Sequence, residues 1–227
     1  MAGKICVHTN NAGSGVVESI VRSRSPWVKT LVAKREFFLK VRESLPNCKF
    51  LYREYVPEAE QNLDDPKAGA RDYMTRVERS IQSNWWNGNC WEFIDTIEGY
   101  NEKGLNEQAS ARAIFDIECA KIAHSWGKKY AMGSFSTMQP NAKEITPDRS
   151  NEEIIEILRT LWRPYLPAVA EADYIALHEY SSPTIQTNAW LTTLRHRLVR
   201  LALKRLRVEY LKPMLITEFG IDDGKLG

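Results

Sequence analysis

The sequence predicts an α/β protein of the TIM (β/α)8 barrel type. Short β-rich runs alternate with longer stretches of helical period over nearly the whole chain, as parallel βαβ units require. Seven such units in 227 residues suit a closed barrel better than an open doubly wound sheet. The phosphate-binding fingerprint of a dinucleotide fold is also missing: Asn10-Asn11-Ala12-Gly13-Ser14-Gly15 has neither the GxGxxG spacing nor a Walker lysine.

The strands are expected at 4–8, 27–33, 49–56, 92–98, 129–135, 174–178 and 213–218. Helical periodicity falls between them, at 16–24, 34–45, 68–84, 106–125, 151–171 and 190–210. Pro26, Pro46, Pro57, Gly88, Gly99, Gly127, Pro140 and Pro183 punctuate the joins. Ser150-Asn151-Glu152-Glu153 ahead of Ile154-Ile155 reads as a helix start, with a polar cap followed by acid in the first turn. On the helix near 190–210, leucines at 191, 194, 198 and 201 form an apolar stripe. They leave Arg195, Arg197, Arg200, Lys204, Arg205 and Arg207 for a solvated outer face. With no internal repeat or linker, residues 1–227 form one domain. A full barrel has eight strands and typically ~250 residues. The count therefore predicts that the last helix–strand–helix portion is lacking, with strands one and seven left as unpaired edges.

Composition excludes several function classes. A net charge of +2 is too small to argue for nucleic acid or an anionic membrane surface. No apolar stretch nears the roughly 20 residues that span a bilayer. A single Lys4 before a short apolar run makes a poor secretion signal, which leaves an intracellular protein, another route of export, or a signal already removed. Cys6, Cys48, Cys90 and Cys119 have no CxxC pairing and read as reduced, buried thiols, although Cys48 and Cys90 both precede strands and could approach each other. Four scattered histidines offer no HExxH spacing, so neither a metal nor a cofactor is expected. His124 and His196 fall on helices and read as surface residues.

In a parallel barrel the chemistry sits at the carboxyl ends of the strands. Strand four ends Asp95-Thr96-Ile97-Glu98-Gly99-Tyr100-Asn101-Glu102, and strand seven ends Met214-Leu215-Ile216-Thr217-Glu218-Phe219-Gly220. Each carries a carboxylate at the mouth of an apolar strand, where packing does not explain it. Two such groups suit glycoside hydrolysis: one protonates the leaving oxygen, and the other attacks the anomeric carbon or activates water.

These motifs resemble the clan A glycoside hydrolases, retaining (β/α)8 enzymes such as families 5 and 39, with catalytic glutamates on strands four and seven. The end of strand six, His178-Glu179-Tyr180-Ser181-Ser182-Pro183, is similar to a His-x-Tyr-x-x-Pro pattern found in some members. The resemblance implies that Glu102 is the acid/base and Glu218 the nucleophile, about 5–5.5 Å apart. It further implies that Asn101 binds the sugar 2-hydroxyl, that Tyr180 orients Glu218, and that His178 lines the pocket near the acid/base. The sequence departs from the pattern in having Lys103 where proline usually follows Asn-Glu. It also lacks a clear counterpart of the arginine often found near the nucleophile after strand two. Lys34-Arg35 are the nearest basic residues, in an uncertain register.

Other residues carry further expectations. Glu98 should lie about 13 Å deeper than Glu102 and act as a buried partner for a basic group. Glu179 should face away from the interior if His178 and Tyr180 face in. His8 and Arg53, late in strands one and three, are expected to reach the mouth, and Tyr100 and Trp190 to offer aromatic faces to sugar. Trp85, Trp86 and Trp91 belong to the bottom of the barrel, and the polar loop 136–149 would wall one side of a cleft. The expected activity is hydrolysis of O-glycosidic, β-type bonds, with carbohydrate as partner. The alternative is a carbohydrate-binding protein without turnover. A Schiff-base aldolase or a phosphate-binding isomerase is disfavoured, because no strand-end lysine or Gly-rich phosphate loop is evident.

Overall fold

The computed structural model describes residues 6–82, 88–104, 106–137, 139–140, 144–146, 148–181, 194–207 and 211–221. Seven strands lie side by side in chain order, and every neighbouring pair is parallel. They are β1 (Val7–Thr9), β2 (Trp27–Thr30), β3 (Lys49–Tyr52), β4 (Ile94–Glu98), β5 (Lys129–Phe135), β6 (Tyr174–Ser181) and β7 (Met214–Ile221). The helices between them are α1 (Ser14–Ser23), α2 (Arg35–Ser44), α3 (Pro66–Gln82), α4 (Ala109–Ser125), α5 (Asn151–Trp162), α6 (Leu166–Glu171) and α7 (Arg195–Arg205). No described helix is long and apolar enough to cross a membrane.

The edges expected to stay unpaired come together instead. The Cys6 N–H donates to the Ile216 carbonyl at 3.1 Å, so β1 meets β7 and seven strands nearly close the barrel. Two apolar cores follow from strand alternation. Inside the barrel, Cys6, Leu51, Ala131, Ala176 and Leu215 pack above the edge-on pair Trp27 and Tyr174. The larger core lies between the sheet and the helices, where α3 and α4 contribute Tyr73, Met74, Val77, Phe115 and Cys119.

Local sequence sets several boundaries. At the start of α5 the Ser150 hydroxyl accepts from the Glu153 N–H while the Glu153 carboxylate accepts from the Ser150 N–H, the capping box expected from the sequence. Residues Arg163–Tyr165 form a 3-10 turn that splits the expected 151–171 helix into α5 and α6, with Pro164 in the first residues of the turn and Pro167 in those of α6. On α7 the buried face is Arg195, Leu198, Val199, Ala202 and Leu203, while Leu201 is exposed. Arg195 is therefore not solvated: it donates to the carbonyls of Phe135 and His178 (both 3.3 Å) and of Gln139, tying the ends of β5 and β6 together. A buried guanidinium is tolerated here because these backbone acceptors replace water. All four cysteines are free and buried, and burial pushes the Cys6 thiol up to about 12.

Candidate active site

The carboxyl ends of the strands gather a dense charged cluster. Lys29, on β2, has no solvent exposure and sits 2.8 Å from both Glu98 Oε2 and Glu218 Oε1. Arg53, just past β3, donates to Glu218 Oε1 at 3.1 Å and also to Asn101 Oδ1. Tyr180 donates to the other oxygen, Glu218 Oε2, at 3.0 Å. His8 Nδ1 completes the ring 3.7 Å from Glu218 Oε1. Burial opposes ionisation of Glu218, but the positive charges of Lys29 and Arg53 outweigh it and hold its carboxyl well below the usual carboxylate range. Burial and the negative charge of Glu218 push the Tyr180 hydroxyl up, so it stays a donor.

Local irregularities aim these groups. The β6–β7 register slips between Leu177 and His178, so that Leu177 faces Ile216 but His178 faces Glu218. The extra residue, Thr217, points its hydroxyl at Glu98 Oε1 (2.9 Å), and Glu218 is freed to reach the mouth. A second slip in β5 leaves Gly133 at φ 97° and Ser134 at φ 48°. A Cβ on Gly133 would lie 2.1 Å from the Phe135 ring, so only glycine fits. Ser134 then accepts the Glu102 N–H with its carbonyl (3.3 Å) and sets its hydroxyl 3.1 Å from His178 Nε2. Glu102 itself is left-handed at φ 53°, an unfavourable backbone of the kind concentrated at functional sites.

His178 links the two carboxylates. Its Nδ1 lies 2.5 Å from Glu102 Oε1, and its Nε2 lies 3.4 Å from Lys29 Nζ and 3.5 Å from Glu218 Oε1. An ammonium can only donate, so Nε2 accepts and the ring proton is assigned to Nδ1, which donates to Glu102. Burial and then Lys29 lower the His178 pKa, which favours this neutral form. Glu102 is partly exposed and faces the cleft.

Of the residues singled out from the sequence, Glu102, Glu218, Asn101, His178, Tyr180, Arg53 and His8 come together here. Tyr100 does not offer a sugar platform. Its ring is buried, stacked on Phe115 at 4.2 Å and edge-on to Tyr73, because the β4–α4 turn folds it under the α3–α4 layer. Trp190, Trp85 and Trp86 lie outside the described residues, as does part of the 136–149 loop. From that loop Thr137 Oγ1 accepts the Tyr180 N–H at 2.9 Å. Trp91 packs edge-on against Trp126. Glu98 is the expected buried partner of a base, but it is not remote: Glu98 Oε1 lies 4.0 Å from His178 Nε2 and forms the floor of the site. Glu179 turns outward, buried, and accepts from the His196 N–H at 2.8 Å at the start of α7.

Lys29 and Ser134 were not anticipated. Lys34 and Arg35, the basic residues weighed for the strand-two position, pair instead with Glu36 and Glu92, away from the site. Lys29 sits where the alternation Trp27, Lys29 carries every second β2 side chain inward, and that signal was available. Lys29 is also the strand-end lysine that a Schiff-base enzyme would show, but it is enclosed between two carboxylates with no open approach to its amine. For Ser134 the hint was glycine inside a strand, which marks a bulge.

These features define a (β/α) barrel with a carboxylate pair at its mouth. No protein-family model matches the chain, and no curated protein matches it in sequence. Solved structures do match. A β-1,3-glucanase and allergen of Cryptomeria japonica pollen superposes with a TM-score of 0.53 at 12% identity, over 98% of this chain and 77% of that one. A GH128 (subgroup I) endo-β-1,3-glucanase mutant of Amycolatopsis mediterranei, in complex with laminaripentaose, gives 0.51 at 14% identity, over 98% and 73%. At such identities the likeness establishes the barrel fold.

Proposed function

We propose that the chain is a retaining glycoside hydrolase acting on β-linked glucans, with β-1,3-glucan as the first substrate to test. The observation that carries this reading is the contrast between two carboxylates in contact with one imidazole. Glu218 is buried and held ionised by Lys29, Arg53 and Tyr180, as a nucleophile needs, while Glu102 is partly exposed at the cleft, as an acid/base needs. The two barrel neighbours act on β-1,3-glucan, and one is bound to laminaripentaose, which suggests the glucan class.

In the first step a Glu218 oxygen bonds to the anomeric carbon as the glycosidic C–O bond breaks. Glu102 transfers its proton to the departing oxygen. His178 Nδ1–H occupies Glu102 Oε1, leaving Oε2 to carry that proton toward the cleft. In the second step Glu102 takes a proton from water, whose oxygen displaces Glu218 from the sugar. We assign Asn101, whose Oδ1 accepts from Arg53, to the sugar 2-hydroxyl.

Glu218→Gln and Glu102→Gln should each lower kcat on laminarin or a responsive aryl β-glucoside by about a thousandfold or more. Proton NMR of the first product should show the β-anomer. Unchanged turnover in both variants would overturn the reading, and an α-anomer product would overturn retention.

A further inference from the structure

A cavity of about 310 Å³ opens from Glu102 along the segment after β3, lined by Arg53, Tyr55, Glu58, Gln61 and Asn101 among others. It continues past Glu58 and Gln61 into a second hollow of about 700 Å³ that reaches Asp64, Asp65 and Lys103. Two features of this track lack a structural explanation, and a third is its charge. Tyr55 is 68% exposed, the most exposed large hydrophobic side chain among the described residues, although the aromatic rings nearby are packed. Gln61 is 8% exposed and its Nε2 donates to the Val56 carbonyl, yet its Oε1 is buried with no hydrogen-bond partner among the described residues. The walls are also rich in carboxylates: Glu54, Glu58, Glu60, Asp64 and Asp65.

An exposed tyrosine face is a surface on which a pyranose ring can stack, presenting apolar C–H bonds to the aromatic π-cloud. An unpaired buried amide oxygen is costly and matches a ligand hydroxyl donor. Carboxylates accept from hydroxyls and repel anionic groups, so the lining favours neutral sugars over uronates. From these we infer that the groove between the β3–α3 and β4–α4 segments is an extended subsite track for neutral oligosaccharide, with Tyr55 as platform and Gln61 Oε1 as hydroxyl acceptor. The inference rests on the glycoside hydrolase reading of the adjoining pair and adds the direction in which the chain of sugars runs from it.

Laminaripentaose is the probe, titrated calorimetrically into the Glu218→Gln protein and assayed for cleavage by the otherwise unaltered enzyme. Tyr55→Ala should weaken binding roughly tenfold, the scale of one aromatic contact. Tyr55→Phe, which keeps the ring, should restore it, and Leu201→Ala on the far helix α7 serves as control. Pentagalacturonate should bind more weakly than laminaripentaose. The track is overturned if Tyr55→Ala binds and cleaves laminaripentaose as tightly and fast as the parent. It is equally overturned if the pentasaccharide does not bind at all, or if the uronate binds better. Tyr55-dependent binding without cleavage by any form would keep the track and remove the hydrolase reading. Cleavage indifferent to Tyr55 would do the reverse.

Discussion

Two charged clusters in this barrel have buried ion pairs at their centre, and they are built on opposite plans. Behind the sheet, Arg112 on α4 donates to Asp116 (3.0 Å) and to the carbonyls of Tyr100, Gly133 and Lys103, while the Tyr130 hydroxyl donates to Asp116 at 2.7 Å. Each hydrogen bond in that set has a backbone or side-chain partner, and none faces the cleft. At the mouth, Lys29 and Arg53 are shared among Glu98, Glu218, His178 and Asn101, with Glu102 close by. The first cluster matches each donor with acceptors and joins the β4–α4 turn to β5. The second crowds acids around two bases, and Arg53, Asn101 and Glu102 at its edge line the adjoining cavity. Buried ionic groups of the first kind explain architecture, and those of the second kind explain a pKa.

The comparison predicts how each cluster fails. Arg112→Met should cost about 3–5 kcal/mol in urea unfolding, because Asp116 loses its cation and three carbonyls lose their donor in a dry site. Adding Asp116→Leu should not recover that loss, since the carbonyls remain unpaired. Lys29→Met should also destabilise, but the double variant Lys29→Met/Glu98→Gln should regain much of the loss, as apolar or neutral replacement of a whole buried pair often does. The regained stability should not bring back turnover, because Glu218 then lacks its closest cation. Recovery in the Arg112 pair, or full activity in the Lys29 double, would erase the distinction.

A smaller effect comes from pH. Glu218 has a depressed folded pKa, so its contribution to stability is complete above the ordinary glutamate value near 4.3 and is lost as pH falls below it. Burial and then Lys29 lower His8 to about 4, so the unfolded chain takes up a proton that the folded one refuses between about pH 6.5 and 4. Both signs agree: urea midpoints should fall from pH 7 to about pH 4 as the unfolded chain protonates His8, and fall further below pH 4 as Glu218 takes up its proton. His8→Gln should flatten the upper part of that decline and leave the lower part. A midpoint that rises on acidification would contradict the charges assigned to the site.

Much of this molecule could be read from the chain. Strand alternation, breakers at the joins and order of the three strand-end motifs were enough to place Glu102, His178, Tyr180 and Glu218 at one mouth. The reading failed where one residue of register decides direction. Thr217 is the extra residue of a bulge, so Glu98 and Glu218 share Lys29 although spacing along ideal strands sets Glu98 apart. Tyr100 was misplaced for a different reason, since a loop position says nothing of which layer the ring enters. The meeting of β1 with β7 was hidden too, because closure depends on strand tilt and twist accumulated over the whole sheet.

The capping box of α5 supplies the lowest rung of the comparison. Ser150 and Glu153 exchange their bonds at an exposed helix end, where water can replace whatever is removed. Ser150→Ala should therefore cost about 1 kcal/mol in the same urea measurement, well short of the loss at Arg112. It should leave the response to pH between about 7 and 5 untouched, because the titrating group that Ser150 holds, Glu153, stays ionised over that range. A loss at Ser150 equal to that at Arg112 would mean that burial is not what makes the α4 cluster expensive to disturb. The difference between the two clusters would then have to come from their geometry rather than from their exclusion of water.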